Sequence, residues 1–500
     1  MPLLDFAVVI LYLAFALWFG RRLRGRHGVR DYFLTGRQAP WWAIMASIVA
    51  TETSTVTVIS VPGYAFAGDL TFLQLAFGYV VGRLLVAAFL LPAFFSRDLL
   101  SAYQLLTERM GRGLGRAAAV VFLATRNIAD GLRLFATAVV LATMVMVAAE
   151  STNTAAPSQT VVLGLAIAAI AAVTLAYTWL GGMRAVIWMD VVQLGLYLAG
   201  ALVAVTILVG RLPDGLAGAW AAASMAGKLT LFDFAWDLTQ DYTFWSGVIG
   251  GAVFTAATHG ADQMFVQRYL CSRSLREARL ALGLSGVFVL AQFALFLAIG
   301  LLLWAFYETV APPGALESIT TAGALQADQV FPRFLMMHLP TGLRGLVLAA
   351  ILAAAMSTLS SSLNSSAAST IGDFYLARSR SPDDDARLLW TSRMTTLVWA
   401  LAQVCVALLA IRLSQRVIDD VLRVQFFAGG LMLGLFVLST MRTPPAARAG
   451  VAGLAVGLAV LLGVTLFTAL SWQWYVLVGA IATVGAGALA QRAIQRKGLR

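Results

Sequence analysis

Apolar runs of about 20 residues recur along nearly the whole chain, and no other feature constrains the fold as much. A helix of this length is long enough to cross the hydrocarbon core of a bilayer. Of the 500 residues, 60% are hydrophobic and only 12% are charged, so polar side chains are too few to cover a water-soluble globule. The sequence therefore predicts an all-α polytopic membrane protein.

The apolar runs predict about thirteen transmembrane helices. Basic residues gather in alternate loops, beginning with Arg21, Arg22 and Arg30, and such loops stay in the cytoplasm. We therefore expect a multi-pass protein of the cell (inner) membrane, with its N-terminus outside and its C-terminus cytoplasmic. The same pattern explains the net charge of +11 without a nucleic-acid partner. The predicted spans are 2–20, 42–67, 70–95, 116–148, 159–179, 184–210, 242–267, 280–306, 341–372, 391–411, 417–440, 446–469 and 473–491.

The ninth predicted span is rich in serine and small residues. Ala354, Ser357, Thr358 and Ser361 follow the spacing i, i+3, i+4, i+7, which places them on one helical face. Hydroxyl and carbonyl oxygens are ligands that suit hard cations. Serine and small residues are equally typical of contacts between membrane helices, so the spacing alone leaves both interpretations open.

Two acids, Glu52 and Asp190, fall well inside predicted spans. An ionisable side chain at membrane depth is costly, so its presence indicates a function. The alternative is a structural pair with a buried arginine, and Arg126, Arg133 and Arg423 are the candidates.

Four segments, taken together and in order, resemble the sodium:solute symporter family. They are DYFLTGR at 31–37, YTWLGGMRAVIWMDVVQ at 177–193, DQMFVQRYL at 262–270 and AAAMSTLSSSLNSSAAST at 353–370. The resemblance implies one transporter domain over 1–500, with a five-plus-five inverted-repeat core and broken helices. Its parts would be a first span and loop at 1–40, repeats at 41–210 and 242–440, and two C-terminal spans with a tail at 446–500.

The resemblance also implies binding sites for one or two coupling Na⁺ ions and for a solute. The first sodium site would use Ala50, Thr53, Ala354, Ser357 and Thr358. The second would use Asp190, Ser357, Ser360 and Ser361. The solute would lie against Glu52, Ser54, Thr57, Gln74, Arg126, Arg133, Thr255, Thr258, His259 and Gln425.

The function implied is secondary active transport: sodium:solute symport of a sugar, a sialic or other organic acid, or an amino acid by alternating access. The expected partners are the small-molecule solute, sodium ions and the lipid bilayer, and a monomer is the expected state. Two alternatives stay open, a proton-coupled symporter that uses Glu52 and a membrane solute sensor that acts through a partner. No paired acids, nucleophile–histidine arrangement or metal cluster indicates an enzyme.

Overall fold

The computed structural model describes residues 3–23, 28–151, 158–321, 324–375, 384–413 and 415–498. These residues are almost entirely helical. The strands within them are two residues each, Thr320–Thr321 and Ala324–Leu325, and they pair antiparallel. The prediction of an all-α protein is confirmed.

Nineteen α-helices follow one another along the described chain. They are α1 (Leu3–Arg22), α2 (Val29–Leu34), α3 (Trp41–Glu52), α4 (Thr55–Ala67), α5 (Leu73–Leu85), α6 (Leu91–Phe95), α7 (Ala102–Met110), α8 (Arg112–Ser151), α9 (Gln159–Arg211), α10 (Gly215–Met225), α11 (Gly251–Ala261), α12 (Gln263–Leu270), α13 (Leu275–Thr309), α14 (Ala327–His338), α15 (Leu343–Thr370), α16 (Asp384–Ala410), α17 (Gln415–Thr440), α18 (Ala447–Phe467) and α19 (Tyr475–Gly498). Three short π-helical turns adjoin α5 and α6, α11, and α15, at Val86–Leu90, Ser246–Gly250 and Ile371–Tyr375 respectively.

Each predicted span corresponds to a helix or a helix pair. Nine helical segments in the described residues are long and apolar enough to cross a membrane, and the bent pair α3 and α4 makes a tenth. α9 has 53 residues and contains two predicted spans, which meet at Gly182, where the backbone is not helical. α11 and α17 account for the seventh and eleventh predicted spans.

Two helices are interrupted, one at the start of each predicted repeat. α3 ends at Glu52 because Thr53 and Ser54 are extended, and the Ser54 hydroxyl then caps α4 by accepting a bond from the Thr57 amide. Asp262 is extended between α11 and α12, and its carboxylate accepts a bond of 2.8 Å from the Met264 amide. Such breaks expose backbone groups within the bundle, as inverted-repeat transporters use them.

The bundle has two ends of opposite charge. At the basic end, α2 and the loop before α7 meet, and Arg30 and Arg37 both pair with Asp98. At the acidic end, the Lys228 ammonium donates to the carbonyls of Phe66 and Gly68 at the end of α4. The acids at this end include Asp69, Asp233, Asp237, Asp241 and Asp328.

α15 runs through the centre, with nearly every side chain buried. It packs against α1, α3, α8, α9 and α16. Since a helix buried on all sides has no lipid-facing stripe, its serines face other helices. This position brings the serine-rich face beside the break at the end of α3.

Candidate transport site

Two residues of the first predicted sodium site, Ala354 and Thr358, lie where the end of α3 meets α15. The Thr358 hydroxyl lies 3.2 Å from the Thr51 carbonyl and 3.4 Å from the Ala354 carbonyl. One turn away, the Thr55 hydroxyl donates to the Ile351 carbonyl over 3.3 Å. Carbonyl and hydroxyl oxygens therefore converge here, a donor set that fits Na⁺.

Thr53, at the break itself, is buried and held from two directions. Its hydroxyl donates to the Val49 carbonyl over 2.8 Å and accepts a bond of 2.7 Å from the Gln292 amide. Ala50 is fully buried in the last turn of α3. Gln292 lies on α13, so a helix of the second predicted repeat holds a predicted sodium ligand that belongs to the first repeat.

The second predicted sodium site centres on Asp190, which is fully buried in α9. One carboxylate oxygen accepts a bond of 2.7 Å from the Ser357 hydroxyl, and the other accepts one of 2.5 Å from Ser47. The hydroxyls of Ser360 and Ser361 instead donate to the Ser357 carbonyl, at 3.0 and 2.7 Å. The structure thus brings all four predicted residues together, although only Ser357 of the three serines contacts the carboxylate.

Arg268 is the counter-charge of Asp190. It is fully buried, and its guanidinium lies 3.1 Å from the carboxylate. It also donates to the hydroxyls of Ser47, Thr51 and Ser361 and to the Met264 carbonyl. Sequence reasoning assigned no role to Arg268 or Thr51, although Arg268 belongs to the motif DQMFVQRYL.

A cavity of about 900 Å³ lies beside the break in α3. It reaches from Asp69 and Asp328 at the acidic end to Asp262 at the break between α11 and α12. Small-molecule sites in proteins commonly have volumes of ~300–1,000 Å³. Its wall combines a few polar groups with aromatic side chains, among them Phe72, Tyr79, Phe122, Phe254 and Phe293.

Most of the predicted solute residues line this cavity. They are Glu52, Ser54, Thr57, Arg126, Arg133, Thr255 and Thr258. Gln74 and His259 lie behind the wall and are fully buried. Gln74 donates to the Tyr242 carbonyl over 2.7 Å and accepts from the Asp233 amide, so it anchors the segment before α11. The side chain of Gln425 lies outside the described residues.

Two arginines of α8 reach the cavity wall. Arg126 is 3% exposed, pairs with Asp262 and lies 3.5 Å from Asp130. Arg133 is 31% exposed and lies 2.6 Å from Asp130. Asp130 is thus shared, and Arg126 joins α8 to the break between α11 and α12.

Glu52 pairs with Arg83 of α5, which was not among the three arginines considered from the sequence. Arg83 is fully buried, whereas the Glu52 side chain is 17% exposed to the cavity. The same Glu52 oxygen lies 3.8 Å from the His259 imidazole. Arg126 and Arg133 have other partners, and the Arg423 side chain lies outside the described residues.

Among the side chains that the structure describes, the charges at these sites balance. Away from the two ends, these described charges are the acids Glu52, Asp130, Asp190 and Asp262 and the arginines Arg83, Arg126, Arg133 and Arg268, and each acid pairs with at least one arginine. The ligands of the first predicted sodium site are uncharged. Within the described residues, no cluster of three or more His, Cys, Asp or Glu side chains is arranged to hold a metal ion.

Comparison with known proteins gives a family match over most of the chain. The model of the sodium:solute symporter family matches residues 32–457. The sodium/sialic acid symporter NanT of Aliivibrio fischeri is 28% identical, in an alignment that covers 97% of this chain and 91% of that protein. The human sodium/iodide cotransporter is 29% identical, over 93% of this chain and 70% of that protein.

A solved structure is similar over almost its full length. It shows the substrate-bound, outward-open state of a sodium-coupled sialic acid symporter and is described as revealing a novel sodium site. The two structures have a TM-score of 0.85, with 26% sequence identity and 98% of each chain covered. The sequence-based prediction of the fold and of the family is confirmed.

Proposed function

The chain belongs to the sodium:solute symporter family and is a sodium-coupled symporter, and we propose that its solute is a small organic anion that carries a carboxylate. The solute would occupy the cavity beside the break in α3. Arg126 would be its main charged ligand.

The charge balance of the site carries this proposal. Away from the two ends, the four acids and four arginines that the structure describes at these sites already neutralise one another. A sodium ion held by the neutral oxygens near Thr358 adds one positive charge to a region of low dielectric, where an uncompensated charge is costly. A solute carboxylate nearby cancels that charge, so each ligand favours the binding of the other.

Arg126 suits the role of carboxylate ligand. Its guanidinium already holds the Asp262 carboxylate, and a planar guanidinium binds carboxylates in a bidentate manner. A solute carboxylate would take the place of the Asp262 carboxylate on Arg126, and both groups bind a guanidinium in the same way. The names of two relatives point the same way, since sialic acid and iodide are both carried as anions.

Transport would proceed by alternating access. We place the acidic end outside and the basic end in the cytoplasm, following the distribution of basic loops. The cavity reaches the acidic end, so sodium and solute would enter there and stabilise the contact of α3 with α15. Ligands shift such an equilibrium only by their different affinity for the two states. Each net positive charge moved inward gains about 2.3 kcal/mol per 100 mV, so one sodium ion carried with one carboxylate anion would gain nothing from the membrane potential.

A binding screen followed by uptake tests the solute class. Purified protein in detergent is heated with sialic acid, lactate, iodide, galactose or proline, in sodium chloride or choline chloride. We expect stabilisation by a carboxylate only in sodium, and sodium-driven accumulation of that compound in proteoliposomes. Stabilisation by galactose alone would contradict the proposal.

Two arginine variants locate the carboxylate. Arg126→Gln should weaken binding of the carboxylate at least about 100-fold, because a buried charge-assisted pair is lost. Arg133→Gln is the matched control, since Arg133 is more exposed than Arg126 and pairs with Asp130, and we expect a loss of about tenfold or less. The reverse order would assign the carboxylate to Arg133.

Proton coupling through Glu52 is the second candidate. Proton uptake there would leave Arg83, which is fully buried, without its counter-charge, so the pair argues against this mechanism. Solute uptake driven by a pH gradient in sodium-free buffer would support proton coupling through Glu52. A sensor, the remaining alternative, would bind the carboxylate without accumulating it in proteoliposomes.

A further inference from the structure

A cluster of Glu52, Arg83 and His259 connects the two helix breaks. Glu52 is the last residue of α3, directly before the extended residue Thr53. Its carboxylate pairs with Arg83 and lies 3.8 Å from the His259 imidazole. On the other ring nitrogen, His259 is 2.6 Å from the Tyr269 hydroxyl. Since His259 is in α11 and Tyr269 in α12, this bond spans the second break.

The cluster leaves hydrogen-bonding capacity unused. Two nitrogens of Arg83 and one of His259 are buried with no hydrogen-bond partner among the described residues. An unpaired buried donor reduces stability, so a cluster shaped only for stability would satisfy these atoms. Departures of this kind are expected at functional positions.

α5 forms a stiff link between the breaks. Gly78 and Gly82 bring its backbone directly onto α11, because a Cβ atom at either position would collide with a backbone carbonyl of the 247–252 segment. Arg83, one residue further along α5, reaches the end of α3. A shift of the α3 end would therefore move Arg83 and α5, and α5 would move α11 because their backbones are in direct contact.

The two connected breaks serve different ligands of the proposed symport. Thr53 and the Thr51 carbonyl lie at the first predicted sodium site. On α11, Thr255 and Thr258 line the solute cavity, and His259 lies one turn after Thr255. The cluster thus touches the sodium side at Glu52 and the solute side at His259.

We propose that Glu52, Arg83 and His259 are positioning residues that hold the α3 break in the geometry for sodium and transmit sodium occupancy to the solute wall of α11. This inference rests on the proposed sodium-coupled function. The Glu52 side chain would act through the backbone of the break and would not itself bind sodium.

The first test measures sodium affinity with sodium as the only probe. Unfolding of the full chain in detergent is followed while sodium chloride replaces choline chloride at constant ionic strength. Glu52→Gln should weaken the apparent sodium affinity about tenfold. Glu108→Gln is the matched control, because it makes the same chemical change in the surface pair with Arg97, and it should leave sodium affinity unchanged.

Two further variants separate positioning from folding. Glu52→Asp keeps the charge and shortens the side chain, so it should weaken sodium binding while the protein still unfolds cooperatively in choline. The double variant Glu52→Gln/Arg83→Gln should be no weaker for sodium than Glu52→Gln alone, because the two residues act as a unit. If Glu52→Asp and Glu52→Gln both match Glu108→Gln, the proposal is wrong.

The second test follows transmission to α11. A cysteine at Thr258→Cys, in a Cys405→Ser background, reports access to the cavity through its rate of maleimide labelling. Sodium should change this rate at least about threefold, and His259→Gln should abolish the change. The transmission step would be wrong if the labelling rate were the same with and without sodium. It would also be wrong if the sodium-dependent change in rate persisted in His259→Gln. If wild-type protein shows no sodium-dependent stabilisation at all, the proposed function itself fails.

Discussion

Two acid–arginine pairs lie along α3, and they differ in burial and in how fully their polar atoms are bonded. Asp190 and Arg268 are both fully buried, and hydroxyls of Ser47 and Ser357 complete the carboxylate's bonds. Glu52 and Arg83 form the second pair, in which the acid faces the cavity and two nitrogens of the arginine have no hydrogen-bond partner among the described residues. One pair is sealed and saturated, whereas the other is open on one side and incomplete.

The difference separates two uses of a buried charge. A saturated network fixes one arrangement of its helices, because any other arrangement leaves charges unpaired. An incomplete pair beside a cavity loses fewer bonds when it rearranges, so its free-energy cost of rearrangement is lower. Such a pair can change its geometry when an ion or solute enters the cavity. We therefore interpret Asp190 with Arg268 as the fixed reference of the sodium region and Glu52 with Arg83 as its responsive part.

Removing each arginine should produce the largest contrast. Arg268→Met leaves Asp190 uncompensated with no access to water, and we expect a loss of about 3–5 kcal/mol of stability. Arg83→Met leaves Glu52 beside the cavity, where its 17% exposure permits hydration, so the loss should be at most about half as large. Thermal unfolding in detergent and choline chloride shows which of the two variants loses more stability.

The paired variant Asp190→Asn/Arg268→Met is the control for this contrast. It removes both charges, so it should recover much of the stability that Arg268→Met loses. Equal losses for the two single arginine variants would end the distinction between a sealed pair and an open one.

Two neighbouring serines sharpen the comparison on the sodium side. Ser357 donates to Asp190 and belongs to both predicted sodium sites, whereas the Ser360 hydroxyl reaches the Ser357 carbonyl. Ser357→Ala should weaken sodium affinity about tenfold, equivalent to about 1.4 kcal/mol. Ser360→Ala is the matched control and should change it less than about threefold.

Sodium titrations of the unfolding temperature measure both serine variants. If Ser360→Ala proves as damaging as Ser357→Ala, then the Ser360 hydroxyl turns toward a second sodium ion in the working protein. That result would also mean that the region around Asp190 binds sodium itself and that its geometry is not fixed.

The sequence predicted the spans and the interruption after Glu52 because both depend on local signals, whereas the break at Asp262 was not predicted. Apolar length locates the spans, and the run ATETST at 50–55 combines residues that disfavour an uninterrupted apolar helix. The i, i+3, i+4, i+7 face of α15 likewise required no tertiary information.

The partners of the two acids were missed because pairing depends on distant residues. Glu52 and Arg83 are 31 positions apart, and Asp190 and Arg268 are 78 positions apart. A signal for Arg83 existed, since a lone arginine inside the predicted span 70–95 requires a partner. Arg268 gave no such signal, because it stands among loop arginines that the positive-inside rule explains.

Asp328 is an acid at the mouth of the cavity. Unlike Asp190 and Glu52, it has no ion pair among the described residues. Burial raises the pKa of Asp328, and the Ser60 hydroxyl opposes this rise. The folded protein therefore keeps the Asp328 proton at a pH where the unfolded chain has released it. Stability should fall as pH rises from about 4 through the raised pKa.

Asp328→Asn should remove this pH dependence and have the smallest effect of the series. Because the charge stands at the mouth and is screened by salt, we expect sodium affinity at neutral pH to change less than about twofold. Unfolding temperatures of wild type and Asp328→Asn across this pH range measure the first effect, and sodium titrations measure the second. A change as large as that of Glu52→Gln would show that an acid without an arginine can position sodium, and the responsive part would then include the mouth of the cavity.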